Sequence, residues 1–103
     1  MKYQFTENMQ EISGMGGGYE KACRNMVIAG LEWFDKNPDA DPKFEQFKNI
    51  YGITANENKD MKAMQDAMLK VCEGCSGAMM QATTNHVLFI KANGWDKYVE
   101  EMT

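Results

Sequence analysis

Apolar side chains recur at three- and four-residue spacings along almost the whole chain, and strict apolar–polar alternation is nearly absent. Such a period predicts helices and gives strands little support. Phe5, Met9 and Ile12 fall on one face of a short first helix with Thr6 as its N-cap. Ser13-Gly14-Met15-Gly16-Gly17-Gly18 follows, and each glycine would cost a helix interior about 1 kcal/mol relative to alanine, so this segment reads as a loop. From Tyr19 the pattern strengthens: Tyr19, Ala22, Cys23, Met26, Val27, Gly30, Leu31 and Phe34 form a broad stripe, with Glu20, Lys21, Arg24 and Asn25 mostly opposite. Gly30 on that stripe implies close approach of a neighbouring helix, and Asn37-Pro38 ends the segment.

After the linker Asp39-Ala40-Asp41, Asp41-Pro42 supplies an N-cap and a first-turn proline. Phe44, Phe47, Ile50 and Tyr51 give the next helix its inner face, and Gly52 its C-terminal cap. Thr54 or Asn56 then caps a longer helix carrying Met61, Met64, Met68, Val71, Cys72 and Cys75. Glu73-Gly74-Cys75-Ser76-Gly77 weakens helix propensity, so the helix either runs through with a bend or, as favoured here, stops, with Ser76 capping a new helix from Ala78 to Asn93 that Gly94 closes. A last helix, Trp95 to Met102, docks back through Trp95, Tyr98 and Val99. The expected fold is all-α: one domain over 1–103, a compact bundle of four to six helices with a glycine-rich loop before the second.

Composition changes the picture in three places. The chain has 103 residues, 44% hydrophobic and 11% aromatic, which suits a packed core and argues against disorder. Its 15 acidic against 11 basic residues, with no basic cluster, disfavour nonspecific nucleic-acid binding. No apolar run is long enough for a membrane span or a signal peptide, so a cytoplasmic protein without a membrane partner is expected. Three cysteines are an odd number and read as reduced thiols.

The glycine loop is the most informative element, because unpaired amides at a helix start attract anions and glycines let a phosphate approach the main chain. Ser13, Gly14, Gly16, Gly17, Gly18 and Tyr19 are the expected ligand-binding residues, with Arg24 and His86 as further contributors. This is neither a Walker A loop, since no Gly-Lys-[Ser/Thr] follows, nor a dinucleotide fingerprint, since Tyr19 takes its sixth place. The alternative is a tight connection between packed helices. A binding role predicts that Gly17→Val weakens ligand binding far more than it lowers thermal stability.

Cys72-Glu73-Gly74-Cys75 has the spacing of a zinc half-site that Cys23 and His86 could complete, yet all three cysteines fall on apolar stripes and a second paired half-site is missing. No metal, cofactor or catalytic residue is assigned. His86, without a nucleophile motif or paired carboxylates beside it, reads as structural rather than as a general base. Glu20, Glu32 and Asp35 read as solvated or helix-end charges, and Trp33 and Trp95 as packing residues. Met15 and one of Met79 and Met80, which cannot both face inward, are expected to be exposed, and such contacts would favour a homodimer or higher symmetric assembly.

Ser13-Gly14-Met15-Gly16-Gly17-Gly18-Tyr19-Glu20, then Ala22-Cys23, Met26, Gly30-Leu31-Glu32-Trp33-Phe34 and Asn37-Pro38-Asp39-Ala40-Asp41, resembles small uncharacterised accessory proteins of phages and mobile elements. The resemblance covers the first half of the chain and implies a counter-defence role in the host cytoplasm; it supplies no active-site residues. The expected function is a non-enzymatic binding protein holding a nucleotide or other phosphate-bearing ligand, and the rival is an inhibitor or adaptor that binds a host protein and no small ligand.

Overall fold

The computed structural model describes residues 2–49 and 52–103, and for 44–49 and 52–57 the backbone alone. Four helices, α1 (Gly17–Lys36), α2 (Lys59–Leu69), α3 (Gly77–Asn93) and α4 (Trp95–Met102), carry the core, and two strands, β1 (Phe44–Asn49) and β2 (Gly52–Glu57), stand between α1 and α2.

The core is the seam where α1 meets α2 and α3. Met26 and Val27 of α1, Met61, Met64 and Met68 of α2 and Val87 of α3 are wholly buried. Unbranched thioethers bend to fill whatever space the helix crossings leave. Gly30 makes the crossing possible: a Cβ there would lie 2.8 Å from Val87 Cγ2 and 3.3 Å from Met68 Cγ. Buried Gln65 on α2 donates its amide to Thr84 Oγ1 on α3 across 3.2 Å, so the polar groups inside the seam are paired. As the spacing predicts, Ser76 caps α3 by accepting from Met79 N, Gly94 closes α3, and α4 docks back through buried Tyr98 and half-buried Trp95 and Val99.

Several expectations are corrected. No helix forms over Phe5–Ile12, because its backbone groups are taken by other elements: Gln10 N donates to Met102 O at the end of α4, and Arg24 donates to Thr6 O and Met9 O. Residues 2–16 are instead an irregular arm laid over the bundle, with Tyr3 and Phe5 edge-on to Trp95. The glycine-rich loop therefore precedes the first helix, not the second, and Gly17 and Gly18 belong to the first turn of α1.

The bundle itself is helical, and one hairpin stands beside it. Where Phe44, Phe47 and Gly52 read as a helix with its cap, β1 and β2 pair antiparallel from Phe44 opposite Glu57 to Asn49 opposite Gly52; Ile50 and Tyr51 of that reading lie outside the described residues. Asn58 explains the change. Its carbonyl accepts from Lys43 N (3.2 Å) and from Met61 N (2.8 Å), its amide donates to Asp41 O (2.8 Å), and its N–H donates to Lys43 O (3.1 Å). One side chain thus closes the neck of the hairpin and caps α2, displacing the expected caps at Thr54 and Asn56. The helix then stops at Leu69, before Val71, Cys72 and Cys75.

Candidate functional site

The start of α1 is built around an acid that periodicity assigns to solvent. Gly16, at φ +67, precedes the helix and offers it no side-chain cap. Glu20, one turn in, is only 6% exposed and folds back onto the arm. Its carboxylate accepts from Ile12 N at 2.7 and 2.9 Å, from Ser13 N at 3.0 Å, from Ser13 Oγ at 3.1 Å and from Arg24 Nε at 3.3 Å. Burial alone would push the Glu20 carboxyl up, but the donors from Ile12, Ser13 and Arg24 outweigh it and hold the group below the usual carboxylate range. Ser13 Oγ accepts in turn from Met15 N at 3.1 Å.

The loop therefore does receive an anion, and the anion is the protein's own. Ser13, expected to touch a ligand, is committed to Glu20. Arg24, expected as a counter-charge, spends its guanidinium on Glu20 and on the carbonyls of Thr6 and Met9, at 3.3 Å each, and stacks 5.1 Å from the centre of the Phe5 ring. A second carboxylate attends the helix start: a Cβ on Gly16 would lie 3.2 Å from Glu11 Oε1. Reading Glu20 as solvated is thus corrected. The signal that could have found it is a variant of the capping box, in which a first-turn Glu reaches back to an amide before the helix, combined with its i,i+4 relation to Arg24.

The remaining predicted residues are divided among three open clefts. Gly17 and Arg24 line the largest, about 660 Å³, between the arm and α1, where Glu7, Glu11 and Lys21 supply most of the charge. Gly18 and Tyr19 line a groove of about 290 Å³ with Cys72, Cys75 and Met79. His86 lines a third, about 270 Å³, between α3 and α4. Its Nδ1 lies 2.8 Å from Tyr98 Oη. Burial lowers the His86 ring below its ordinary value, against a smaller pull upward from Glu20, and raises the Tyr98 hydroxyl. With both neutral, the pair is satisfied by Tyr98 donating to Nδ1 and the ring proton on Nε2. Gly14, at φ +71, is exposed and shapes the turn.

Met15 in the anchored loop and Tyr19 in the first turn of α1 are 60% and 57% exposed, the most exposed large apolar side chains among the residues whose side chains are described. Met79 is buried and Met80 half-buried, while Trp33 and Trp95 are half-buried packing residues. Asp35 is exposed and pairs with Lys2 Nζ and Tyr3 Oη. Among the described residues no group of three or more His, Cys, Asp or Glu is placed to hold a metal ion, and no helix is long and apolar enough to cross a membrane. Comparison with protein families, curated proteins and solved structures gives no match.

Proposed function

We propose that this protein is a non-enzymatic protein-binding module, an inhibitor or adaptor whose contact surface is the glycine loop and the first turn of α1, with the exposed side chains of Met15 and Tyr19. The observation that supports this reading is the pairing of rigidity with exposure. Glu20 fixes residues 12 and 13 through four hydrogen bonds, and beside them Met15 in the loop and Tyr19 in the first turn of α1 stand out to solvent. Loops held by a scaffold are the usual carriers of recognition, and aromatic and methionine side chains are enriched where partners meet. The resemblance to phage accessory proteins would give such a module a host protein as partner.

A photo-crosslinking residue tests the surface directly. Tyr19→p-benzoylphenylalanine is expected to trap one partner from host lysate that the same probe at exposed Glu32, on the same helix, does not trap. Tyr19→Ser should weaken capture of that partner by about tenfold or more with melting unchanged. Equal crosslinking at the two positions, or undiminished capture by Tyr19→Ser, defeats the reading.

One observation favours a phosphate-bearing ligand as a second reading: the residue before α1, Gly16, has no side chain with which to cap the first amides. The carboxylates of Glu11 and Glu20 oppose it, which is why it stands second. Gly17→Val is not a clean probe, because Gly17 sits at φ +54 and a branched side chain would strain the fold as well. Gly18 has open space at its Cβ position. Gly18→Asp should therefore keep the fold and abolish any heat of binding seen on titration with inorganic phosphate or a nucleotide panel; no heat with the unmodified protein removes this reading.

A further inference from the structure

The link between α2 and α3 brings two of the three thiols together. After Leu69 the chain reaches Ser76, the cap of α3, through a turn centred on Glu73 and Gly74. Gly74 has φ +71, the value that the third residue of a type II turn requires and that a side chain resists. Cys72 and Cys75 are the first and fourth residues of that turn. The ends of such a turn lie within about 7 Å, and a disulfide accepts Cα separations of about 4.4–6.8 Å. Both residues line the same groove, so the turn brings the two thiols to one opening. Both are free, Cys72 buried and Cys75 half-exposed at the mouth of the groove that Tyr19 and Met79 complete. Cys23, the third thiol, is wholly buried on α1.

No Lys, Arg or His lines this groove, so nothing in it stabilises a resting thiolate. Burial and the neighbouring Cys75 push the Cys72 thiol above its ordinary value. A pair of this kind is unsuited to nucleophilic catalysis and suited to responding when an oxidant reaches the exposed sulfur.

We propose that Cys72 and Cys75 form a reversible dithiol–disulfide modification site, open to small-molecule disulfides of the glutathione class, with Cys75 the entry sulfur and Cys72 the resolving one. Cys75 gives up its proton and attacks one sulfur of the oxidant, forming a mixed disulfide and expelling one thiolate, which takes up the proton. Cys72 then loses its proton and attacks the Cys75 sulfur, breaking the mixed disulfide and releasing the second small thiol. Two protein thiols become one disulfide as the oxidant is reduced to two thiols. The site stands whether or not Tyr19 meets a partner.

The folded chain is incubated with oxidised glutathione, quenched in acid, unfolded, alkylated and cleaved after Lys and Arg. Val71–Lys91 then carries both Cys72 and Cys75, and Ala22–Arg24 carries Cys23. The first peptide should lose about 2 Da and refuse the alkyl group, the second should be alkylated, and dithiothreitol should restore the first. Cys72→Ser should stop at a stable glutathione adduct on Cys75, and Cys75→Ser should react about tenfold or more slowly at Cys72. A glutathione adduct persisting on the unmodified protein, a bond joining the two peptides, or equal reaction rates in Cys75→Ser would overturn the assignment.

Discussion

Two stretches of the same helix, less than three turns apart, join their neighbours by opposite means. At Met26, Val27 and Gly30, α1 meets α2 and α3 through apolar atoms packed close enough that one added methyl group would collide with Val87. At Glu20 it meets the arm through a carboxylate gripped by donors from Ile12, Ser13 and Arg24. The first contact is non-directional, and its worth follows from area and fit. The second is directional and conditional, since a buried carboxylate stabilises only while its donors stay in place and each donor depends on it in return. The apolar seam holds the bundle together, and the polar clamp decides the path of a segment with no regular structure of its own.

Removing either should cost about the same and look entirely different. Glu20→Ala leaves two amides and a half-buried guanidinium without their acceptor, a loss of about 3 kcal/mol. Met26→Ala opens a cavity in the seam at a similar cost, about 3 kcal/mol. Hydrogen exchange separates them: Glu20→Ala should strip protection from the amides of Ile12 and Ser13 beyond the global loss, whereas Met26→Ala should lower protection in all helices together. A Glu20→Ala cost below about 1 kcal/mol would show that water replaces the acid and that the arm is held elsewhere.

The seam was legible in the sequence because its cause is periodic. Gly30 on the α1 stripe announced a close approach, and Ser76 and Gly94 marked the ends of α3 through residue types that act within a few positions of themselves. The clamp was not legible for the opposite reason. Glu20 and Arg24, four apart on one face, read equally well as a solvated surface pair, and what distinguishes them is an arm whose route no period records. The hairpin escaped similarly: Phe44 and Phe47 fit a helical face, and the choice is made by Asn58, eleven residues beyond Phe47, closing the neck through Asp41 and Lys43. For the glycine loop, composition pointed to free amides open to an outside ligand and could not show that Glu20 takes the amides of Ile12 and Ser13.

A smaller change sharpens the other side. Gly30→Ala gains up to about 1 kcal/mol in helix propensity, but the new methyl group must displace Val87 and Met68, and overpacking of this kind costs about 1–3 kcal/mol. A net loss of about 1 kcal/mol in denaturant titration is expected. Combining it with Val87→Ala should cost less than the sum of the single changes, because the second removes the atom that the first strikes. A gain in stability from Gly30→Ala alone would mean that the seam is looser than its distances imply.

The smallest effect is the dependence on pH, and its sign follows from which form each group prefers when folded. Unfolded, His86 titrates near 6.5; folded, its ring is held below that value by burial. Above 6.5 neither state binds the proton, and as pH falls through 6.5 the unfolded chain binds it first, so stability declines until the folded ring also protonates. Glu20 adds a second decline at lower pH. Its folded carboxyl lies below the ordinary 4.5, so its contribution is complete above 4.5 and is lost as pH falls through the folded value. In urea titrations from pH 7.5 to 3, His86→Gln should erase the upper step and keep the lower, and Glu20→Gln should do the reverse. Because the Glu20 charge pulls the His86 proton on, Glu20→Gln should also depress the histidine further and deepen the upper step. Independent steps, with no deepening, would show that clamp and histidine are electrostatically insulated, confining the influence of the carboxylate to the arm it holds.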